Sequence, residues 1–273
     1  ERDEVQYAKL RDLSLASQVD QLRVALDRRS ARHRERVWRR FRTHGNLDEM
    51  RLVDAIAGAQ NVYKRRVIGS ETSHLSPGKT KTRIRFVLDC SGSMYAQNKR
   101  DCRLTRLLQC AMLVCEAFDG KEDEYEYSIV GHSGSKVKFD LVTFEDPRPS
   151  TVPDRLKLVR KMIQHARSCA SGDKTIAATR AAIRDVVDNN KDAKKEYLVF
   201  LVSDADFANY GTPPSQLGDV LTSDERVQAF ALFVGGRANA IQRKLPPGKS
   251  FLCSDTNHLV GTLRHLFLAC VSA

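Results

Sequence analysis

Residues 83–89 (RIRFVLD) read as a buried strand that leads into Asp89-Cys90-Ser91-Gly92-Ser93-Met94. One carboxylate and two hydroxyls, spaced by two along a turning backbone, can bring three hard oxygens to one point. Such donors suit a small divalent cation. Mg²⁺ takes six oxygens in an octahedron and keeps some of its water, and Mn²⁺ is the alternative ion. The same residues could instead form a polar turn with a helix cap. The position, directly after an apolar strand and before a helix, favours the cation. Two later loops offer further oxygens. Ser171-Gly172-Asp173-Lys174-Thr175 opens a helix, where Thr175 is either a ligand or the cap of that helix. Ser203-Asp204-Ala205-Asp206 follows the apolar run YLVFLV, with Asp204 as the candidate carboxylate and Asp206 as its competitor. The candidate metal ligands are therefore Asp89, Ser91, Ser93, Thr175 and Asp204.

These loops need a scaffold that delivers them to one edge. From residue 83 onward, short apolar runs alternate with helical periodicity. Strands are expected at 83–89, 125–130, 136–142, 197–202, 227–234 and 251–253. Helices are expected at 104–118, after Pro153, and at 175–187, 214–221 and 257–271. That alternation predicts an α/β fold, a doubly wound and mostly parallel sheet covered on both faces. In such sheets the functional loops lie at the carboxyl ends of the strands. The runs beginning near 83, 125, 197, 227 and 250 should be parallel neighbours. The run 136–142 should lie antiparallel at an edge, because the Gly131-to-Ser135 connection suits a hairpin and is too short for a crossover. Residues 1–68 read as an arginine-rich helical extension. Leu10, Leu13, Leu22 and Leu26 fall near one stripe with Ala16 and Val19, and Asn46 is a cap for a second helix carrying Leu47, Met50 and Val53. Residues 69–82 read as a linker and 83–273 as the main domain.

The set Asp89, Ser91, Ser93, Thr175 and Asp204 resembles the metal-ion-dependent adhesion site of von Willebrand factor A domains, over about residues 83–271. Further phrases extend the resemblance: Gly45-Asn46-Leu47-Asp48, Val62-Tyr63-Lys64-Arg65-Arg66, Ile129-Val130-Gly131-His132-Ser133-Gly134, Tyr210-Gly211 and Leu245-Pro246-Pro247-Gly248-Lys249-Ser250-Phe251. They are similar to the C-terminal part of large mitochondrial MoxR-like AAA+ ATPases that end in such a domain. The resemblance implies a metal-dependent protein-binding module. Its metal would take an acidic residue of a partner protein, an AAA+ ATPase ring would lie in cis or in trans, and the mitochondrial matrix would be its location. The chain starts at Glu1 without a signal-peptide pattern, which reads as a piece of something longer.

Other chemistry is weaker. Pro77-Gly78-Lys79-Thr80 contains the end of a phosphate loop, but Ser73 stands where the first glycine is needed, and a strand follows instead of a helix. Gly131-His132-Ser133-Gly134-Ser135 approaches a nucleophile elbow, yet its last position is serine and a strand follows. His132 reads as a hydrogen-bonded structural histidine, with a supporting role behind the metal as the other reading. No nucleophile–base pair and no carboxylate dyad emerges, so the chain reads as a binding module and not an enzyme. The seven cysteines are odd in number, lack a C-x-x-C pair and mostly sit in apolar runs. They read as buried free thiols in a reducing compartment. No apolar run reaches the length of a membrane span.

A formal net charge of +11 favours an acidic partner or simple solubility. The excess is concentrated at Arg28, Arg29, Arg32, Arg34, Arg36, Arg39, Arg40 and Arg42, with Trp38 and Phe41 interleaved. Three readings stand: a solvated face, a dock for an acidic ATPase surface, or an RNA contact. The last defines the rival function, an RNA-contacting assembly factor of a ribonucleoprotein particle. Lys174, beside Thr175, is placed to attract an acidic partner.

Overall fold

A computed structural model describes residues 10–11, 13–33, 37–48, 61–67, 81–169, 172, 174–187, 196–204, 207, 211, 213–234, 241–253 and 255–269. The main sheet has six strands: β4 (Thr82–Asp89), β5 (Tyr125–His132), β6 (Phe139–Val142), β7 (Glu196–Ser203), β8 (Val227–Phe233) and β9 (Ser250–Leu252). Their spatial order is β6-β5-β4-β7-β8-β9. All neighbours are parallel except β6, which pairs antiparallel to β5 at the edge. The parallel core and the antiparallel edge hairpin are those expected from the connection lengths.

Alternation along each strand divides the core. On one face lie Ile84, Phe86, Leu88, Leu198, Phe200 and Val202. On the other lie Val87, Val130, Val199 and Leu201. Because both faces are covered, β7 is apolar at every position from Tyr197 to Val202 and buried throughout. Helices α4 (Arg103–Ala117), α5 (Val152–Ser168) and α8 (Thr256–Ala269) cover the first face, and α6 (Thr175–Val186) and α7 (Pro214–Leu221) the second. Phe86, Phe118, Phe200 and Phe267 knit the first face, with ring centroids 5.4 Å apart for Phe86–Phe200 and 5.3 Å for Phe200–Phe267. Ahead of α4, the short helices α2 (Gly92–Ala96) and α3 (Asn98–Asp101) follow β4 directly. Among the described residues, no helix is long and apolar enough to cross a membrane.

Helix α1 (Leu13–His33) packs on α4 and α8. Leu10, Leu15, Val19, Leu22 and Leu26 are buried within the same apolar cluster as the first face of the sheet. Burial of each such side chain stabilises by about 1.5–3 kcal/mol. Polar contacts set the helix in register. Tyr125 Oη donates to Leu26 O at 3.1 Å, and Arg23 Nη2 donates to Glu116 O at 2.7 Å. Arg29 is completely buried, pairs with Glu196 and donates to Phe267 O at 3.3 Å. This corrects the assignment of Arg29 to an RNA or partner surface. It is an internal tether, since a buried guanidinium is costly unless paired, and its two Nη groups are bonded within the protein. Arg28, its neighbour, is exposed.

Part of the described extension is strand where its periodicity suggests helix. Residues Val37–Arg42 form β1, Asn46–Leu47 form β2 and Tyr63–Val67 form β3, an antiparallel sheet in the order β1-β3-β2. Asn46 therefore sits in a strand opposite Lys64, and residues 49–60, which would carry the helix it is expected to cap, lie outside the described residues. The β-branched and aromatic Val37, Trp38 and Phe41 suit a pleated strand, which overrides the weak helical spacing. Arg39, Arg40 and Arg42 lie on β1, whereas the side chains of Arg32, Arg39, Arg40 and Arg42 and the whole of Arg34 and Arg36 lie outside the described residues. So do Met50, Val53, the 77–80 segment, Asp173, Asp206 and Cys270. Among the described cysteines none is paired. Cys90, Cys110, Cys115 and Cys253 are buried, Cys169 is half-buried and Cys102 is exposed.

Candidate metal centre

The centre forms where β4 and β7, adjacent and parallel, both end. Leu88 pairs with Val202, so Asp89 and Ser203 face each other across the sheet edge. Ser203 Oγ donates to Asp89 Oδ2 at 2.8 Å, and the Ser91 amide donates to Asp89 Oδ1 at 3.0 Å. Both carboxylate oxygens are thereby oriented before any ligand arrives. Ser91 occupies the N-cap of α2, yet its side chain makes no capping bond. Its hydroxyl instead meets Ser93 Oγ at 3.0 Å. Ser93 Oγ donates to Asp204 Oδ2 at 2.9 Å. Asp89, Ser91, Ser93 and Asp204 thus form one connected group of oxygens, with Asp89, Ser91 and Asp204 buried.

Thr175 is the first residue of α6 and is buried. The N-cap position belongs to Lys174, so Thr175 is not the cap. Its loop is drawn to the same edge by a close backbone approach. A Cβ on Gly172 (φ 150°) would lie 2.8 Å from Gly134 Cα, so only glycine allows the contact. Lys174 Nζ donates to Ser135 O at 3.2 Å, which ties the loop before α6 to the loop after β5. In that second loop Ser133 is buried. Its Oγ accepts from the Lys136 amide at 3.2 Å and meets His165 Nε2 at 3.0 Å. The hydroxyl thus closes the turn into β6, which a nucleophile elbow would leave exposed. His132, paired with Asp89 across the sheet, is buried, and neither ring nitrogen has a partner among the described residues. The expectation of a hydrogen-bonded structural histidine is therefore not met among the described residues.

Electrostatically the two carboxylates share a single adjacent cation among the described residues, Arg103. Burial first, and then the neighbouring Asp89, push the Asp204 carboxyl up to about 6, against the lowering effects of Ser93 and Arg103. Arg103, at the start of α4, donates from Nη1 to Asp204 Oδ2 at 2.7 Å and from Nε to Asp101 Oδ2 at 2.8 Å. Burial opposes ionisation of Asp101, but the bonds and charge of Arg103 hold its carboxyl below its ordinary value. Sequence reasoning missed Arg103. Its only local signal is a cation in the first turn of a helix, where the dipole disfavours one. Burial and the charge of Asp89 raise the neighbouring Cys90 thiol well above its ordinary value, which keeps it protonated.

The donor set is all hard oxygen, two carboxylates and a chain of hydroxyls, which fits a small divalent ion. Among the described residues no cluster of three or more His, Cys, Asp or Glu side chains could hold a metal. A cation at this edge would therefore depend on the serine hydroxyls.

No protein-family model matches the chain. Over 254 residues, 92% of its length, the chain is 39% identical to von Willebrand factor A domain-containing protein 8 of Mus musculus, and it spans 13% of that relative. Among solved structures, proximal thread matrix protein 1 from the mussel byssus, in a second crystal form, superposes with a TM-score of 0.50. That match is 17% identical and covers 71% of this chain and 49% of that one. The manganese-loaded TRAP protein of Plasmodium vivax gives a TM-score of 0.45 at 16% identity, covering 70% of this chain and 74% of that one. With its six-stranded α/β sheet and its homology to von Willebrand factor A domain-containing protein 8, the chain belongs to the von Willebrand factor A family.

Proposed function

We propose that the chain is a Mg²⁺- or Mn²⁺-dependent protein-binding module, with Asp89, Ser91, Ser93, Thr175 and Asp204 surrounding the ion. The supporting observation is the convergence of two carboxylates and two hydroxyls from separate loops, with Asp204 pushed toward neutrality by burial and by Asp89 despite Arg103. The bound ion supplies an electrophilic position that a Glu or Asp of a partner protein can take. The chain's own residues do the rest. Ser203 and the Ser91 amide hold Asp89, Ser93 links the two carboxylate loops, and the exposed Tyr95 on α2 belongs to the rim that meets the partner. The match to 13% of a much longer relative fits a module of a larger protein, and the resemblance of the sequence phrases is what motivates placing it at the partner-engaging end of a mitochondrial MoxR-like AAA+ ATPase. The rival RNA reading loses Arg29, which is internal.

Millimolar Mg²⁺ should raise the melting temperature of the chain, and Asp89→Ala should abolish that rise while the metal-free variant still folds. Capture of partners from a mitochondrial lysate should then require Mg²⁺ or Mn²⁺ and be lost with EDTA. No metal-dependent change in melting temperature, together with identical capture in all conditions, would overturn the proposal.

A further inference from the structure

We infer that Arg103 is a tethered cation that holds Asp204 until a divalent ion displaces it, and so sets the affinity and charge selectivity of the centre. The inference rests on the metal reading above. Arg103 Nη1 and Ser93 Oγ both donate to the same oxygen, Asp204 Oδ2, at 2.7 and 2.9 Å. The guanidinium therefore sits where the candidate ligands Ser93 and Asp204 meet. The contact is shielded, with the side chains of Arg103 and Asp204 only 15% and 3% exposed. Shielding makes a charge-assisted bond count.

The opposite edge of the guanidinium is anchored. Nε donates to both oxygens of Asp101, at 3.0 and 2.8 Å. Between the two partners stands Cys102 at φ 55°, the one non-glycine residue with positive φ among those described. A residue with a Cβ adopts that conformation reluctantly, and such strain gathers at functional sites. The turn also delivers a cation to the N-terminal end of α4, where the helix dipole opposes it. Neither feature helps the helix. Both place the guanidinium against Asp204.

The consequence is a threshold. A monovalent ion brings the same unit charge as Arg103 without the tether, and it cannot compete at ordinary concentrations. A divalent ion brings twice the charge and can. Once displaced, Arg103 keeps its bonds to Asp101, so no buried charge is orphaned.

The test compares wild type with Arg103→Gln and Arg103→Lys. Mn²⁺ and Mg²⁺ binding is measured by calorimetry in potassium buffer, and melting temperature is measured after chelation. Arg103→Gln should bind Mn²⁺ about tenfold more tightly, the scale of one lost competing charge-assisted bond. Its metal-free form should melt below wild type, because two carboxylates then lack a counter-charge. Arg103→Lys keeps the charge but cannot fork between two carboxylates, so its affinity should fall between the others. Should Arg103→Gln not fold, a rise in affinity for Arg103→Lys carries the test. Equal or weaker binding by the variants while wild type binds metal overturns the inference and leaves the metal reading intact. A metal-free Arg103→Gln that melts above wild type also overturns it. No binding by any of the three removes both.

Discussion

Replacing Asp204 by Asn should stabilise the metal-free protein at neutral pH and destroy its response to metal. The Asp204 carboxyl is buried and pushed up to about 6, from its ordinary 3.8, by burial and by Asp89. That difference corresponds to about 3 kcal/mol of unfavourable ionisation at roughly 1.4 kcal/mol per pH unit. The lowering by Ser93 and Arg103 is already contained in it. Because Asp89 shares the charge, about 1–3 kcal/mol is the gain to expect. The sign follows from linkage. Below 3.8 the carboxyl is protonated in both states and contributes nothing. Between 3.8 and about 6 only the folded state keeps the proton, so stability falls as pH rises. Above 6 the destabilisation is complete. Urea denaturation in EDTA should therefore show Asp204→Asn more stable than wild type at pH 7.5, with the gap closing as the pH is lowered toward 4. Saturating Mg²⁺ should reverse the order, since ion at about one thousand times Kd stabilises wild type by about 4.1 kcal/mol. A variant less stable than wild type in EDTA at pH 7.5, or a gap independent of pH, would refute the electrostatic account.

Arg29→Ala should cost about 3 kcal/mol in urea denaturation, because it leaves Glu196 without its buried partner, and the loss should change little with salt. Gly131→Ala would place a Cβ 2.1 Å from the Phe139 ring and should cost about 1–3 kcal/mol. Adding Phe139→Leu should recover most of that loss in the same assay. A full-sized penalty in the double variant would show that the backbone, and not the ring, is the obstacle.

Much of this architecture is local information. Short, fully apolar runs rich in β-branched and aromatic residues, such as 197–202, read as strands buried on both faces, and their alternation with helices implies the parallel sheet. The short Gly131-to-Ser135 link implies the antiparallel edge strand. Asp89, Ser91 and Ser93 announce themselves because their spacing and their position after a strand are both visible along the chain. What the chain alone leaves open depends on partners far away in sequence. Arg103 meets Asp204 across 101 residues, and Arg29 meets Glu196 across 167. One arginine among many carries no mark of its burial, since composition and charge are the same for a surface cation and an internal tether. Asn46 and Leu47 look like a helix start until pairing with β3 supplies the backbone bonds that a strand needs. The reach of α1 into the core under β4 and β7 is likewise decided by packing, because an apolar stripe specifies that a face will be buried and not against which surface. Sequence periodicity and spacing therefore determined the elements and the oxygen donors, whereas tertiary contacts alone decided which charges face each other at their junction.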